Sequence, residues 1–283
     1  VQCLATFKYL FKHCLNMSQK EIAQVRQWGN SGGVLLPKEW VNATVEVTLL
    51  QKPLDIKKEL LELLAPYMEN IAGAYVFGSH ARKDAGKESD IDVLIIKADK
   101  KKLMLEKKGW EISAVSSQGI KTAIKHAPIF IFSALAEAKP IINKELLEQL
   151  RGKYIPKKSD FTEFIRETSL VTRRNELYLE IDKEEKRNYL SKKSIMYSLI
   201  LRIRGMYLIH CLMQKKVYTK KEWHAWIEKG AGITEQETKQ IMQAYESIKR
   251  GKTAPPIELQ LAERILAFLK KEPLWYDKKK KEA

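Results

Sequence analysis

The sequence is short of cysteine, of long apolar runs and of glycine-rich phosphate loops, and each shortage removes a class of protein. Its three cysteines, Cys3, Cys14 and Cys211, are widely separated. Odd in number, with no Cys-x-x-Cys and no Cys/His group of zinc spacing, they exclude a disulfide scaffold and a structural zinc site. A reducing, cytoplasmic setting is the expectation that follows. No apolar run reaches membrane-spanning length. The 13 glycines never spell Gly-x-Gly-x-x-Gly. Gly73 and Gly78 have the first spacing of a P-loop, but Ser79-His80 stands where Lys-Ser/Thr is required. The five histidines are scattered, and His80 alone lies near a motif. Acidic residues are scarce as well: 35 Asp+Glu against 51 Lys+Arg leave a formal charge of +16. That balance suits polyanionic partners, and equally a lysine-rich surface with no such partner.

What is present is concentrated in residues 73–96 of the 283. Ala74 to Phe77 is a short aromatic and β-branched run suited to a buried strand; Gly78-Ser79 closes it, and a polar segment follows that opens a helix. Ile91 to Ile96 is a second buried strand by composition. At its head Asp90 and Asp92 stand two apart, so that in a strand both carboxylates point to one face. Two carboxylates side by side repel unless a cation lies between them, and Mg²⁺ prefers one or two protein carboxylates with phosphate oxygens and water. A triphosphate would bring those oxygens. Gly78 lets the backbone approach a phosphate, Ser79 offers a hydroxyl, and the first N–H groups of the next helix attract an anion. Arg82 and Lys83, one turn on, neutralise remaining charge.

Gly-Ser, ten residues, then Asp-Ile-Asp resembles the signature of the nucleotidyltransferase superfamily typified by DNA polymerase β. The minimal nucleotidyltransferases and kanamycin nucleotidyltransferase are nearest in look, with Gly-Ser-x-Ala-Arg-Gly and then Ser-Asp-Ile-Asp. Gly78, Ser79, Ala81, Arg82, Ser89, Asp90, Ile91 and Asp92 are in register with that pattern, and Lys83 replaces its second glycine. The resemblance implies an α/β (α+β) polymerase β-like core, an NTP substrate, and two Mg²⁺ ions on Asp90 and Asp92. It also implies a third carboxylate on a neighbouring strand, as general base or metal ligand. Glu111, the only acid in Trp110 to Val115, is the candidate; an edge glutamate facing water is the alternative.

Residues 18–52 hold a second informative stretch. Ile22 to Trp28 reads as a strand, Gly29-Asn30-Ser31-Gly32-Gly33 as a turn, Val34-Leu35-Leu36 as a strand, Pro37 to Trp40 as a short helix and Val45 to Leu50 as a third strand. Trp28 to Lys38 is similar to the swapped-hairpin DNA-binding domains of the AbrB and MazE type. That resemblance implies a homodimer and DNA contacts from Arg26, Asn30, Ser31 and Lys38; a purely dimerising or packing role is the alternative. Val1 as first residue and Met17 just ahead of this unit suggest translation from Met17, with 1–17 an extension.

The remaining chain divides as follows. Asp55 to Glu69 is an amphipathic helix ending near Pro66, and the transferase domain is expected over 53–150. Within it Lys100 to Lys108, Gln118 to His126 and Ile129 to Ala138 read as helices. A basic Gly/Pro-containing linker at 151–159 precedes an all-α domain over 160–272 and a basic tail over 273–283. Thr219 with Glu222 and Thr234 with Glu237 have capping-box spacing. Arg204 and His210 have the spacing of an Arg-x₄₋₆-His ribonuclease motif, but six residues apart they do not share a helix face. Trp223 and Trp226 read as packing residues. The function expected is Mg-dependent transfer of a nucleoside monophosphate from an NTP to a hydroxyl on a small molecule, RNA end or protein. A DNA-binding regulator or antitoxin-like protein with little turnover is the rival, and neither needs a membrane.

Overall fold

The structure, a computed structural model, describes residues 20–49, 54–86 and 89–278. The 1–17 extension and the tail beyond 278 lie outside them. The chain forms two compact units, Val1–Leu54 and Asp55–Ala283.

In the first unit β1 (Arg26–Trp28) and β2 (Ser31–Gly33) pair antiparallel, with Trp28 opposite Ser31. The turn is therefore Gly29-Asn30 alone, shorter than the five residues expected. Gly29, at φ 59°, supplies the positive dihedral that a two-residue turn needs at its first central position. The second strand moves forward to Ser31, and Val34 to Leu36 lie beyond it. Lys38–Trp40 is a 3₁₀ turn, as expected, but residues 45–49 form no strand. None of the described residues of this unit is buried.

The second unit opens with α1 (Ile56–Leu64), whose first turn is capped by Asp55, accepting from the Lys58 N–H at 3.0 Å. Its apolar face buries Leu60 and Leu64 completely. Pro66 cannot continue the α-helical ladder, and the chain tightens into 3₁₀ turns over Ala65–Asn70 before β3 (Ile71–Phe77). Then follow α2 (Gly78–Arg82), β4 (Ile91–Lys97), β5 (Trp110–Ser116), α3 (Ile120–His126), α4 (Pro128–Glu137), β6 (Lys139–Ile142) and α5 (Lys144–Lys153). The sheet runs β5-β4-β3-β6, with β4 parallel to β5 and the other pairs antiparallel. No helix forms over 100–108. That segment is too lysine-rich to offer an apolar face, and Leu103 and Leu105 pack instead on the sheet beside α1.

Side chains alternate across the sheet. Ala74, Val76, Val93 and Ile95 face α1, while Tyr75, Phe77, Leu94 and Ile96 face the helices. The helix-facing core continues without a break through Phe132 and Phe161 into α6 (Thr162–Glu184), α7 (Ser194–Met213), α8 (Lys220–Ala231), α9 (Glu235–Lys249) and α10 (Leu259–Lys278). This continuity corrects the expectation of a linker at 151–159. Residues 151–153 close α5, Lys158–Phe161 form a 3₁₀ turn, and Phe161 is fully buried, 6.0 Å from Phe132 between ring centres. The helices have no separate core on which to fold as a detached domain.

By length and composition α7 is apolar enough to cross a membrane, but Met196, Leu199, Ile200 and Ile203 are all fully buried in this core. A helix apolar on every side is what a central core position requires. The two capping spacings hold: Thr219 accepts from the Glu222 N–H, and Thr234 and Glu237 cap each other reciprocally.

Candidate active site

The motif residues gather at one end of the sheet. β3 ends at Phe77, opposite Asp92 in the β3–β4 register, and Gly78 follows at φ 69°. A side chain there would need left-handed backbone and would collide with the Asp92 carboxylate, so glycine is required twice over. In the parallel pair Asp92 lies directly opposite Glu111. Asp90, Asp92 and Glu111 thus share a cleft of about 1320 Å³ with Gly78, Ser79 and Arg82.

The electrostatics follow from that placement. Burial, reinforced by the charges of Glu111 and Asp90, pushes the Asp92 carboxyl up to about 6, while Arg204 and Arg82 pull the other way. Carboxylates crowded at a strand end call for a counter-charge, and a hard oxygen donor set of this kind fits Mg²⁺. Among the described residues, however, no three His, Cys, Asp or Glu side chains stand close enough to hold a metal by themselves. Asp90 and Asp92 would hold such an ion only with phosphate oxygens and water completing the shell. A three-carboxylate metal set including Glu111 is not assembled.

Other motif residues separate into two groups. Arg82 turns inward: its Nη1 donates to Glu137, its Nε donates to Asp84 at 3.2 Å, and its side chain is 13% exposed. Lys83 turns outward. It caps α2 in the left-handed region at φ 66° and is exposed, outside the residues that line the cleft. The conformation explains why the resembling families carry glycine there. At five residues α2 is also too short for the anion attraction expected of a helix start. His80 bonds through Nε2 with the Ser89 carbonyl at 3.3 Å, tying the motif's two halves together.

Three further residues of the cleft were not read as site residues in the sequence. Glu137 closes α4, Arg204 lies in α7 and Tyr218 precedes α8; all three line the cleft beside Arg82. The guanidinium carbons of Arg82 and Arg204 lie 4.9 and 5.6 Å from the Tyr218 ring centre. The Tyr245 hydroxyl also lies close to Arg204. One signal was available: Arg202 and Arg204 are the two charges in the apolar run of α7, and a charge set among core residues needs a reason. His210, its supposed partner in a ribonuclease pair, instead stacks 6.2 Å from Tyr207 and bonds Gln214 at 2.8 Å. Trp223 is buried and Trp226 packs on Phe268.

Arg26, Asn30, Ser31 and Lys38 are exposed on the N-terminal unit, Arg26 in β1 and Lys38 in the 3₁₀ turn, with Gly29-Asn30 at the hairpin tip.

Residues 58–147, roughly a third of the chain, match the family model described as polymerase beta, nucleotidyltransferase. The span contains β3 through β6, the Gly78-Ser79 turn and all three carboxylates. No curated protein matches the chain. Among solved structures, a nucleotidyltransferase-like protein from Exiguobacterium sibiricum 255-15 aligns at 9% identity over 78% of this chain and 75% of its own, with a TM-score of 0.35. A likeness that low adds nothing to the fold or the chemistry. The segment 58–147 is a nucleotidyltransferase domain of the polymerase β superfamily.

Proposed function

We propose that this nucleotidyltransferase domain moves a nucleoside monophosphate from an NTP to an acceptor hydroxyl, with pyrophosphate leaving. The observation that carries the reading is Glu111 in register with Asp92, beside Asp90, in a cleft shared with Gly78, Ser79 and Arg82. Magnesium held by Asp90 and Asp92 would activate the nucleophile and offset charge on the leaving group. The chain's own residues do the rest. Gly78 and Ser79 seat phosphate oxygens, Arg82 balances their charge, and Glu111 takes the proton of the acceptor hydroxyl. As the acceptor oxygen bonds the α-phosphorus, the bond from that phosphorus to the bridging oxygen breaks on the opposite side.

At about 1320 Å³ the cleft exceeds the usual small-ligand range of about 300–1,000 Å³, which leaves room for an acceptor beside the nucleotide. Phe164 and Arg202, on α6 and α7, line the same cleft. The setting proposed is cytoplasmic. The test is pyrophosphate release from each of the four NTPs with Mg²⁺, using cell extract as a pooled acceptor. Release by the wild type and none by Asp92→Asn is expected; equal release by both sinks the mechanism.

For the N-terminal unit the proposal is pairing with a second copy, presenting Arg26, Asn30, Ser31 and Lys38 to DNA. Its support is that Trp28, Val41 and Val47 are 65%, 69% and 73% exposed in a unit with no buried residue among those described. So small a unit needs a second surface to bury its apolar side chains. Light scattering should give a dimer, and Arg26→Ala with Lys38→Ala should abolish DNA binding at moderate salt. A monomer, or unchanged DNA binding, overturns this part alone.

A further inference from the structure

Three residues lining the cleft carry buried polar atoms without a partner: Arg204 Nε, Trp223 Nε1 and Ser133 Oγ. The first two can only donate, and a fold that buries a donor without an acceptor in the chain leaves it for something else to accept. Arg204 and Trp223 meet at one place. The Trp223 ring lies 6.0 Å from the Tyr218 ring, and the guanidiniums of Arg204 and Arg82 lie against that same phenol. Tyr218 is buried, and burial pushes its hydroxyl up to about 12, so the ring is a neutral surface that both cations lie against.

The buried acid set against this group is Glu137, its side chain 6% exposed. Its carboxylate accepts from Arg82 and lies within electrostatic reach of Arg204, beside the Gly78 N–H. Burial pushes the Glu137 carboxyl up, against the pull of both arginines. One carboxylate therefore faces two guanidiniums and a backbone donor, with a free Arg204 Nε and a free indole N–H close by. Asp84 takes the Arg82 Nε–H, but Arg204 Nε and the indole N–H have no acceptor, so the group holds more donors than Glu137 answers. A chain of phosphates offers several anionic oxygens and the planar pairing that guanidinium favours.

We propose that Arg82, Arg204 and the Gly78 N–H form one cradle for the two terminal phosphates of the nucleotide, and that the Glu137 carboxylate fills this cradle until the phosphates displace it. The inference rests on the transfer reading of the cleft and extends it. Arg204 lies outside the segment 58–147, so a helix that the family match does not reach becomes part of the nucleotide site. Glu137 keeps Arg82 oriented in the empty protein and yields that bond to the stronger anion.

The test is titration calorimetry on the full chain in Mg²⁺ buffer, with inorganic tripolyphosphate as probe and AMP as the control lacking terminal phosphates. Loss of a charge-assisted pair corresponds to about tenfold or more in affinity. Arg204→Ala should weaken tripolyphosphate at least tenfold with little change for AMP, and Arg204→Lys should recover part of the loss. Glu137→Gln should tighten tripolyphosphate by roughly threefold to tenfold, a direction that damage to the fold does not produce. No binding of tripolyphosphate by the wild type, unchanged binding in Arg204→Ala, or weaker binding in Glu137→Gln each overturns the proposal. Pyrophosphate release is scored separately. Binding that depends on Arg204 without release retains the cradle and removes the transfer reading. Release with an unchanged NTP KM in Arg204→Ala does the reverse.

Discussion

Replacing the central carboxylate with its neutral isostere, Asp92→Asn, should stabilise the metal-free protein while ending catalysis. Burial and the charges of Glu111 and Asp90 raise the Asp92 carboxyl to about 6, from the 3.8 of an ordinary aspartate. A shift of about two units corresponds to about 3 kcal/mol at full strength. Asp92 keeps contact with solvent at the cleft, and screening reduces this to about 1–2 kcal/mol. The sign follows from protonation. Because the folded value lies above the unfolded one, the folded protein holds the proton more tightly. The penalty is absent below the unfolded value, grows from about pH 4 to about pH 6, and is full above that. With EDTA at pH 8, thermal unfolding of Asp92→Asn should therefore come about 2–8 °C above the wild type. At pH 5 the advantage should fall by about half. Adding Mg²⁺ should raise the wild type and close the gap. A variant no more stable than the wild type at pH 8, or one equally favoured at pH 5 and pH 8, would refute the account of crowded carboxylates.

Lys83 holds φ 66° without being glycine, so Lys83→Gly should raise stability by up to about 1 kcal/mol in urea unfolding, the relief of left-handed strain less the extra freedom of glycine when unfolded. A loss instead would show that the lysine side chain holds a contact. Asp182, fully buried, accepts from the Ser191 N–H at 3.0 Å and from Arg187 at 3.1 Å. Burial pushes its carboxyl up, but those bonds outweigh burial and hold it below the aspartate range. Its contribution is thus present above the unfolded value and is lost as pH falls through the lowered folded one. Asp182→Asn should cost about 2 kcal/mol at neutral pH and flatten the acid limb of the stability curve, read by denaturant titration from pH 7 to pH 3. Ile203, fully buried, belongs to the same core as Leu94. Ile203→Ala should cost about 2–5 kcal/mol and speed amide exchange in the sheet strand Ile91–Lys97 as well as in the helices. Faster exchange in the helices alone would show two separately folding parts.

The sequence by itself determined the strand–turn–helix–strand of the central domain. The reason is local: Ala74 to Phe77 and Val93 to Ile96 are apolar runs with no charge to expose, and Gly78 and Asp92 compete for one volume, so the spacing of the motif is its geometry. The helix starts at Lys220 and Glu235 were equally legible, because Thr219 and Thr234 each cap a backbone donor three residues on. Short-range preferences were less decisive elsewhere. Gly29-Asn30 made the hairpin turn with fewer residues than the glycines around it suggested, and 100–108, read as a helix, instead lays Leu103 and Leu105 on the sheet without helical turns.

Tertiary structure decided which distant residues meet. Strand order β5-β4-β3-β6 set Glu111 opposite Asp92, a fact of pairing that no spacing states. The unbroken core through Phe132, Phe161 and Ile203 joined the helices to the sheet where the chain's basic Gly/Pro segment suggested a joint. Only that packing brings Arg204 and Tyr218 to Arg82 and Glu137, since a helix face has no direction in sequence until another surface claims it.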